Sequence, residues 1–285
     1  MTNLLRADFY RIRKSKLTLV MLILVMVLPL ILSLMYFGLQ GLMDFLDDLG
    51  GEAATEFAEG FQIGLEVGGM DTEGMDYSSL FGIELILSGT FNLADNLGLI
   101  LPIFAGLLVC GDLTSGTLRA KMISGSSRTK VYLSHMISSG IFSAVMAVIY
   151  TAFTLLFAFL FFDYSEEITG EVVLRFVRWA VLGILTFVFA STVSTFLALS
   201  TGSTGGTIIF TLVFCIVLQL VASLCTFLAD REAIRDFLYL IPTYGNVHGL
   251  DLSWKEFGIS CGAFCLFGAL NGLLGILLFR QKELK

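Results

Sequence analysis

Long apolar runs separated by short polar segments dominate the chain. Six of them, 17–38, 93–111, 137–162, 180–199, 207–228 and 257–279, are each close to twenty residues long. A helix rises 1.5 Å per residue, so about 20 apolar residues cross roughly 30 Å of hydrocarbon. The pattern predicts an all-α membrane protein with six transmembrane helices. Ahead of the first run, Leu5, Phe9 and Ile12 recur at helical spacing, while Arg6, Arg11, Arg13 and Lys14 occupy other faces. That spacing predicts an amphipathic interfacial helix over 1–16, its apolar stripe at the acyl boundary and its cations at anionic lipid headgroups. The alternative is a plain basic flank that fixes topology.

Composition agrees with the pattern. Of 285 residues, 56% are apolar and 14% charged, with a mean hydropathy of +0.87. Such a chain has no room for a large soluble domain, so 1–285 is read as a single transmembrane domain. The charges then set orientation. The amino terminus (Arg6, Arg11, Arg13, Lys14, Lys16), the loop after span two (Arg119, Lys121, Arg128, Lys130) and the carboxyl tail (Arg280, Lys282, Lys285) hold 12 of the 17 basic residues. On that side stand three acids, Asp8, Asp112 and Glu283. The positive-inside rule places both termini in the cytoplasm. The first apolar run exceeds a secretory signal core and no small-x-small site follows it, which predicts an uncleaved span. Cys110, Cys215, Cys225, Cys261 and Cys265 all fall in predicted spans without a CxxC pair, and read as small packing residues.

Between spans one and two, residues 41–90 carry 11 acids, no base and ten glycines. Leu42, Phe45, Leu46 and Leu49 repeat on one helical face, as do Phe57, Phe61 and Leu65, so short amphipathic helices on Gly-rich turns are expected in this acidic extracellular insert. It either attracts cations at the outer mouth or is a solvated cap. Span two is the least regular, with Pro102 inside it and Asp95 at its outer end. Asn92, Asp95 and Asn96 there either line a pathway or cap a helix. In span six, Cys261, Cys265, Gly268, Gly272 and Gly275 form a small-residue stripe that allows close helix approach. Phe237 to Ile241, ended by Pro242, is too short to cross and reads as an interfacial or re-entrant element.

Chemistry is scarce. Spans three, five and six have no ionisable group at their centres, and span four has none past Arg178. Coupled carriers keep such groups near the midplane, usually within repeated halves. No TVGYG-type filter, HExxH, GxSxG or phosphate-binding GK[ST] is present. His135 and His248 fall at opposite membrane faces, so no metal site and no catalytic residue is assigned. A transporter of this kind requires an outside driver.

The inner loop, 112–136, suggests one. Thr114 or Ser115 is placed to cap a short helix, Leu118 and Met122 share a face, and Gly125 is placed to stop it. Two turns that show Leu118, Met122 and Ile123 to water between cations form a docking plug. Asp112, then SGTLR over 115–119, a few helical residues and a G-x-SR-x-K-x-YL run over 125–133 resemble the permease subunits of second-type bacterial ABC exporters, whose fold is like that of the ABCG transporters. The match in layout extends over most of the chain; the 41–90 insert departs from larger relatives.

The resemblance implies that Thr117 to Ser124, following Gly116, are a cytoplasmic coupling helix seated in a separate ABC ATPase. Leu118, Met122 and Ile123 would fill its groove, and Asp112, Arg119 and Arg128 would hold the base and polar contacts. ATP and Mg would be bound by that partner, with no cofactor in this chain. It further implies a working unit of two permeases, taken as a second copy of this chain, and two ATPases in the bacterial plasma membrane. The pathway would be lined by spans one, two and five. Some small relatives export toxin-like or antimicrobial peptides, including phenol-soluble modulins and lantibiotics, so an amphipathic peptide or other apolar substrate is expected. Membrane lipids are partners and nucleic acid is not. Export of drugs or lipids, a channel or carrier independent of ATP, and a structural subunit are the alternatives.

Overall fold

The computed structural model describes residues 2–48, 55–57, 59–60, 63, 83–94, 96–162, 169–226, 237–247 and 252–281. Their regular structure is all helix, with no strand among them. We label α1 (Thr2–Lys14), α2 (Lys16–Asp48), α3 (Ile83–Thr90), α4 (Asn96–Thr114), α5 (Thr117–Ile123), α6 (Arg128–Phe161), α7 (Gly170–Thr201), α8 (Thr204–Thr226), α9 (Tyr244–Val247) and α10 (Trp254–Gln281). Six of them, α2, α4, α6, α7, α8 and α10, are long and apolar enough to cross a membrane. Most of the acidic insert, together with Asp95, Arg231, Arg235, His248 and the last four residues, lies outside the described residues.

Burial separates the six helices by role. The most apolar window of α7 is 61% buried and that of α4 50%, against 22% for α2. In lipid, apolar surface gains nothing by facing another helix, so association relies on close packing and interhelical hydrogen bonds. The hub α7 is accordingly built from small and hydroxylated residues. Ser191 shares a hydrogen bond with Ser143 of α6 at 2.8 Å, the Thr195 hydroxyl donates to Ser139 Oγ at 2.7 Å, and Ser194 pairs with Thr211 of α8 at 2.9 Å. Such bonds average about 0.6 kcal/mol apiece in a bilayer.

Two glycines fix the close approaches around α7. A Cβ at Gly106 of α4 would run into Ser194 and Thr207, and one at Gly183 would run into the Phe91 ring. Phe91 is the wedge at the end of the bundle that carries α3: it is 1% exposed, with ring centroids 4.6 Å from Trp179 and 5.5 Å from Phe187. Trp179 Nε1 donates to the Leu87 carbonyl at 3.1 Å and so clips α3 to the hub.

This corrects the reading of the insert at both edges. α2 continues through Asp48 as one helix, and α3 with the turn after it returns as a buried apolar segment in which Ile86, Leu87, Phe91 and Leu93 join the core. Short apolar stretches bounded by acids look solvated in sequence, whereas the tertiary partners that bury them come from α6 and α7. The Pro242 element packs inward as well. Tyr239 and Tyr244 are buried edge to face at 5.1 Å, Ser260 Oγ donates to the Tyr239 carbonyl, and Asn246 Nδ2 donates to Thr186 Oγ1 at 2.6 Å. The small-residue stripe of α10 also finds its partner within the chain at its C-terminal half: Gly275 lies on the Tyr132 ring and Gly272 on Met136.

Candidate functional site

At the end of the bundle that carries α1, α5, the start of α6 and the end of α10, the chain buries a group of charges. α1 brings Asp8, Arg11 and Ile12 to one face, as spacings of three and four dictate. Ile12 joins the core, and its carbonyl accepts from Thr18 Oγ1 at 2.5 Å across the break at Ser15, which fixes α1 against the start of α2. Asp112 sits in the last turn of α4, Lys121 in α5, and Ser134 and His135 in the second turn of α6.

Their side chains converge. Lys121 Nζ lies 2.5 Å from Asp8 Oδ1, 3.6 Å from Asp112 Oδ2 and 3.4 Å from His135 Nε2. Ser134 Oγ donates to Asp8 Oδ2 at 2.6 Å, Arg11 pairs with Asp112, and His135 Nε2 is 3.5 Å from Asp112 Oδ2. Asp8, Asp112, Lys121 and His135 are each at most 9% exposed, while the Arg11 side chain is 36% exposed. Two carboxylates against one ammonium and one guanidinium balance when His135 is neutral, and balance is what burial of charge demands. Asp112 Oδ2 receives no hydrogen bond and rests on charge alone. A pocket of about 280 Å³ bounded by Arg11, Lys14, Leu107, Leu108 and Asp112 opens beside the cluster.

The charges shift one another. Burial alone would raise the pKa of Asp8, but the interaction with His135, the hydrogen bonds from Lys121 and Ser134, and the Lys121 charge outweigh it, so its pKa lies below the ordinary 3.8. Burial lowers the pKa of Lys121 although Asp8 opposes the shift, and burial likewise lowers that of Arg11. Donor atoms of Asp8, Asp112 and His135 lie within 4.8 Å of one another, close enough for a metal ligand set. The Lys121 ammonium already stands among them and repels a second cation, so the geometry describes an ionic clamp. No nucleophile with an adjacent base is assembled here, and the cluster holds helices together.

The clamp seats α5. Gly116 begins the helix at φ 70 with no side-chain cap, while Thr114 Oγ1 turns back to the Cys110 and Gly111 carbonyls and Ser115 pairs with Thr117. The expected Thr114 or Ser115 cap is therefore replaced by a glycine turn. Gly125 ends the helix as expected, at φ 90 with its N–H on the Met122 carbonyl at 3.0 Å.

The orientation of α5 differs from the docking-plug expectation. Leu118 is 1% exposed among Val109, Val131, Tyr132 and Phe279, and Met122 packs on the same cluster. Ile123, at 87% exposed, is the large apolar residue that faces out, flanked by exposed Ala120 and Ser124 and half-buried Thr117. Residues 118, 121 and 122 share one face of a two-turn helix, and an amphipathic pattern does not say whether that face meets water or the bundle.

Of the other sequence-predicted residues, Arg128 donates to the Arg280 carbonyl at 2.9 Å, across to α10, and lies outside the clamp; Arg119 belongs to α5. At the far end, Asn92 Oδ1 accepts from the Ala94 N–H at 2.8 Å and closes a turn, its carbonyl pressed on Gly98, which favours capping over lining for this residue. Asn96 instead borders a small cavity with Pro29, Tyr36, Tyr150 and Thr154. Sequence reasoning missed Asp8, Arg11, Lys121 and His135 as a unit. The available signal was that the twelve bases of the amino terminus, the loop after span two and the carboxyl tail stand with only three acids, of which Asp8 and Asp112 lie next to apolar spans and each needs a partner.

A six-span helical bundle with a polar hub and a loop helix clamped at one end is that of a polytopic membrane protein. The family is specific: a model of the ABC-2 family transporter proteins matches residues 2–250, and the chain belongs to that family. No curated protein matches the chain. Membership makes it a membrane permease of the ABC type and implies an ABC ATPase as partner.

Proposed function

We propose that this chain is the permease subunit of an ATP-driven exporter in the bacterial plasma membrane, with both termini and α5 in the cytoplasm. The observation that carries the reading is α5 itself, a two-turn helix locked to α1, α4 and α6 by buried charge while Ile123 stands out at its tip. A rigidly seated helix with one exposed apolar residue is a contact built to pass on force. The partner ATPase binds ATP and Mg, and α5 with Asp112, Arg128 and the Thr117–Ser124 segment couples its closure to the bundle. Two copies enclose the pathway, lined by α2, α4 and α8, with Asn96 among its outer polar groups. α2 and α8 support this by their exposed apolar stripes, Ile23, Met26 and Leu34 on one and Ile209, Val213 and Val217 on the other. α1 lies along the inner leaflet.

The cargo under this reading is an amphipathic peptide of toxin or antimicrobial type, since the exposed helix faces are aliphatic and aromatic and the sequence between α2 and α3 is acidic. Stimulation of ATPase activity by amphipathic cationic peptides above that by small dyes or lipids is the expected result; preference for dyes or lipids replaces the peptide reading with the drug or lipid one.

Ile123→Glu tests the coupling. An exposed position tolerates the charge, so the variant folds with wild-type melting behaviour but releases the ATPase on copurification in detergent. Retention of the ATPase together with unchanged vesicle transport would remove the proposal. Leu118→Glu is a poor test, because it places a carboxylate in the apolar core beneath α5 and unfolds the loop whatever its function.

A further inference from the structure

A second pocket at the same end of the bundle belongs to neither the clamp nor α5. It measures about 310 Å³, lies where α6, α7 and α10 diverge, and is bounded by Tyr132, Phe196, Leu199, Ser200, Gly275 and Phe279, with Leu278 and Gln281 at its edge. We propose that it binds one anionic phospholipid, with an acyl chain in the pocket and the phosphate at Arg128 and Arg280.

Three observations select that occupant. First, the lining is aliphatic and aromatic apart from Ser200 and Gln281, and Gly275 helps to shape it: a Cβ there would meet the Tyr132 ring, which closes the floor at 1% exposed. The floor holds one polar group, the Tyr132 hydroxyl, which donates to the Asn271 carbonyl at 3.4 Å. Second, cations stand next to the lining. Arg280 follows Phe279 and reaches across to α6, where its Nε donates to Thr129 Oγ1 at 3.1 Å, and Arg128 donates to the Arg280 carbonyl at 2.9 Å. Both arginines and Lys130 are exposed. The start of α6 and the end of α10 meet here with opposite dipole ends that offset one another, so the side-chain cations set the sign of the site.

Third, depth fits. Trp254 and Gln281 end a helix of 28 residues, about 42 Å at 1.5 Å per residue, so its last turn stands at the headgroup boundary of a bilayer. A guanidinium at that level meets phosphate, and a pocket one turn deeper meets acyl chain. The pocket is lined by α6, α7 and α10 and by no residue of α2, α4 or α8, which the export reading makes the pathway. The inference therefore stands whether or not α5 docks an ATPase.

The test is native mass spectrometry of the detergent-purified chain equilibrated with equal amounts of dioleoyl phosphatidylglycerol and dioleoyl phosphatidylcholine. The wild type is expected to retain one phosphatidylglycerol per chain at least fivefold over phosphatidylcholine. Arg128→Gln with Arg280→Gln should lower that retention at least fivefold, while Arg175→Gln with Lys255→Gln, at the opposite end of α7 and α10, should leave it unchanged. Ser200→Trp and Leu278→Trp each fill the pocket without touching a cation, and two are made so that one misfolded variant leaves the other to decide. Loss of the retained lipid in the filled variant supports the site. Retention of phosphatidylglycerol by a folded, filled variant overturns it in favour of surface charge alone, as does equal retention of the two lipids.

Discussion

Lys121 gives the clamp its sharpest test. Its ammonium lies 2.5 Å from Asp8 and 3.6 Å from Asp112. At an effective dielectric near 20, the first contact alone is an attraction of about 7 kcal/mol, from which desolvation of each ion removes several kcal/mol. Truncating one partner leaves that penalty without the attraction, so Lys121→Met and Asp8→Asn should each cost about 3–5 kcal/mol. The double variant leaves Arg11 with Asp112, a neutral pair, and should cost less than the sum of the singles by about 2 kcal/mol or more. Unfolding of the chain in mixed micelles by increasing SDS, followed through the fluorescence of Trp179 and Trp254, measures all four corners of the cycle. Single costs below about 1 kcal/mol, or additivity within about 0.5 kcal/mol, would refute the claim that these charges are buried as one unit.

The same cluster has a pH signature. Asp8 has a folded pKa below its ordinary 3.8, so its contribution is complete above the unfolded value and is lost as pH falls through the folded one. The stability gap between wild type and Asp8→Asn should be flat from about pH 5 to 8 and close below about pH 4; a gap that closes between pH 6 and 7 would place the control on another group. At the opposite end, Gly183→Ala forces a methyl into the Phe91 ring and should cost about 1–3 kcal/mol, read as a lower melting temperature; Phe91→Leu in the same background should recover part of it. Ser191→Ala removes the bond to Ser143 and should cost only about 0.6 kcal/mol, so a loss above 2 kcal/mol would mean that the hub hydroxyls act as a cooperative network.

Number and order of the spans were legible because lipid imposes one rule on every crossing segment, apolar, helical and about 20 residues long, whereas helix length was not, since α7 runs over Gly170–Thr201 where 180–199 was read. The end of the short helix over Thr117–Ile123 was legible from Gly125, which adopts positive φ, whereas its start was read from Thr114 or Ser115 and lies at the Gly116 turn. Which face of that helix turns inward was not legible, because Leu118 and Met122 are as suitable for a foreign groove as for Val131 and Phe279. Nor was the burial of α3 and the Tyr239–Tyr244 corner, whose partners, Trp179, Thr186 and Ser260, come from helices far away in sequence. Pro29 passed unremarked, and α2 continues through it.

The clamp also explains why the amino-terminal helix bears on the proposed mechanism. α5 touches the bundle through an apolar face, Leu118 and Met122, and through one cation, Lys121, which answers to carboxylates on two other elements. A push on Ile123 that shifts α5 by the radius of an atom must move Asp8, and with it α1, or break an ion pair in a dry site at a cost of about 3–5 kcal/mol. Moving α1 is the cheaper course, because beyond the ion pairs it is held by one buried apolar side chain, Ile12, and by hydroxyl hydrogen bonds from Ser134 and Thr18. Arg11 then carries the displacement to Asp112 at the end of α4. On the export reading, α1 is therefore a moving part, and fixing it should uncouple transport while leaving ATPase docking intact. A disulfide between cysteines placed at Ile12 and Thr18, positions the fold already holds together through the 2.5 Å bond between the Ile12 carbonyl and Thr18 Oγ1, should lower vesicle transport at least severalfold under oxidising conditions and restore it on reduction. Transport indifferent to the crosslink would show that force reaches α4 without passing through α1.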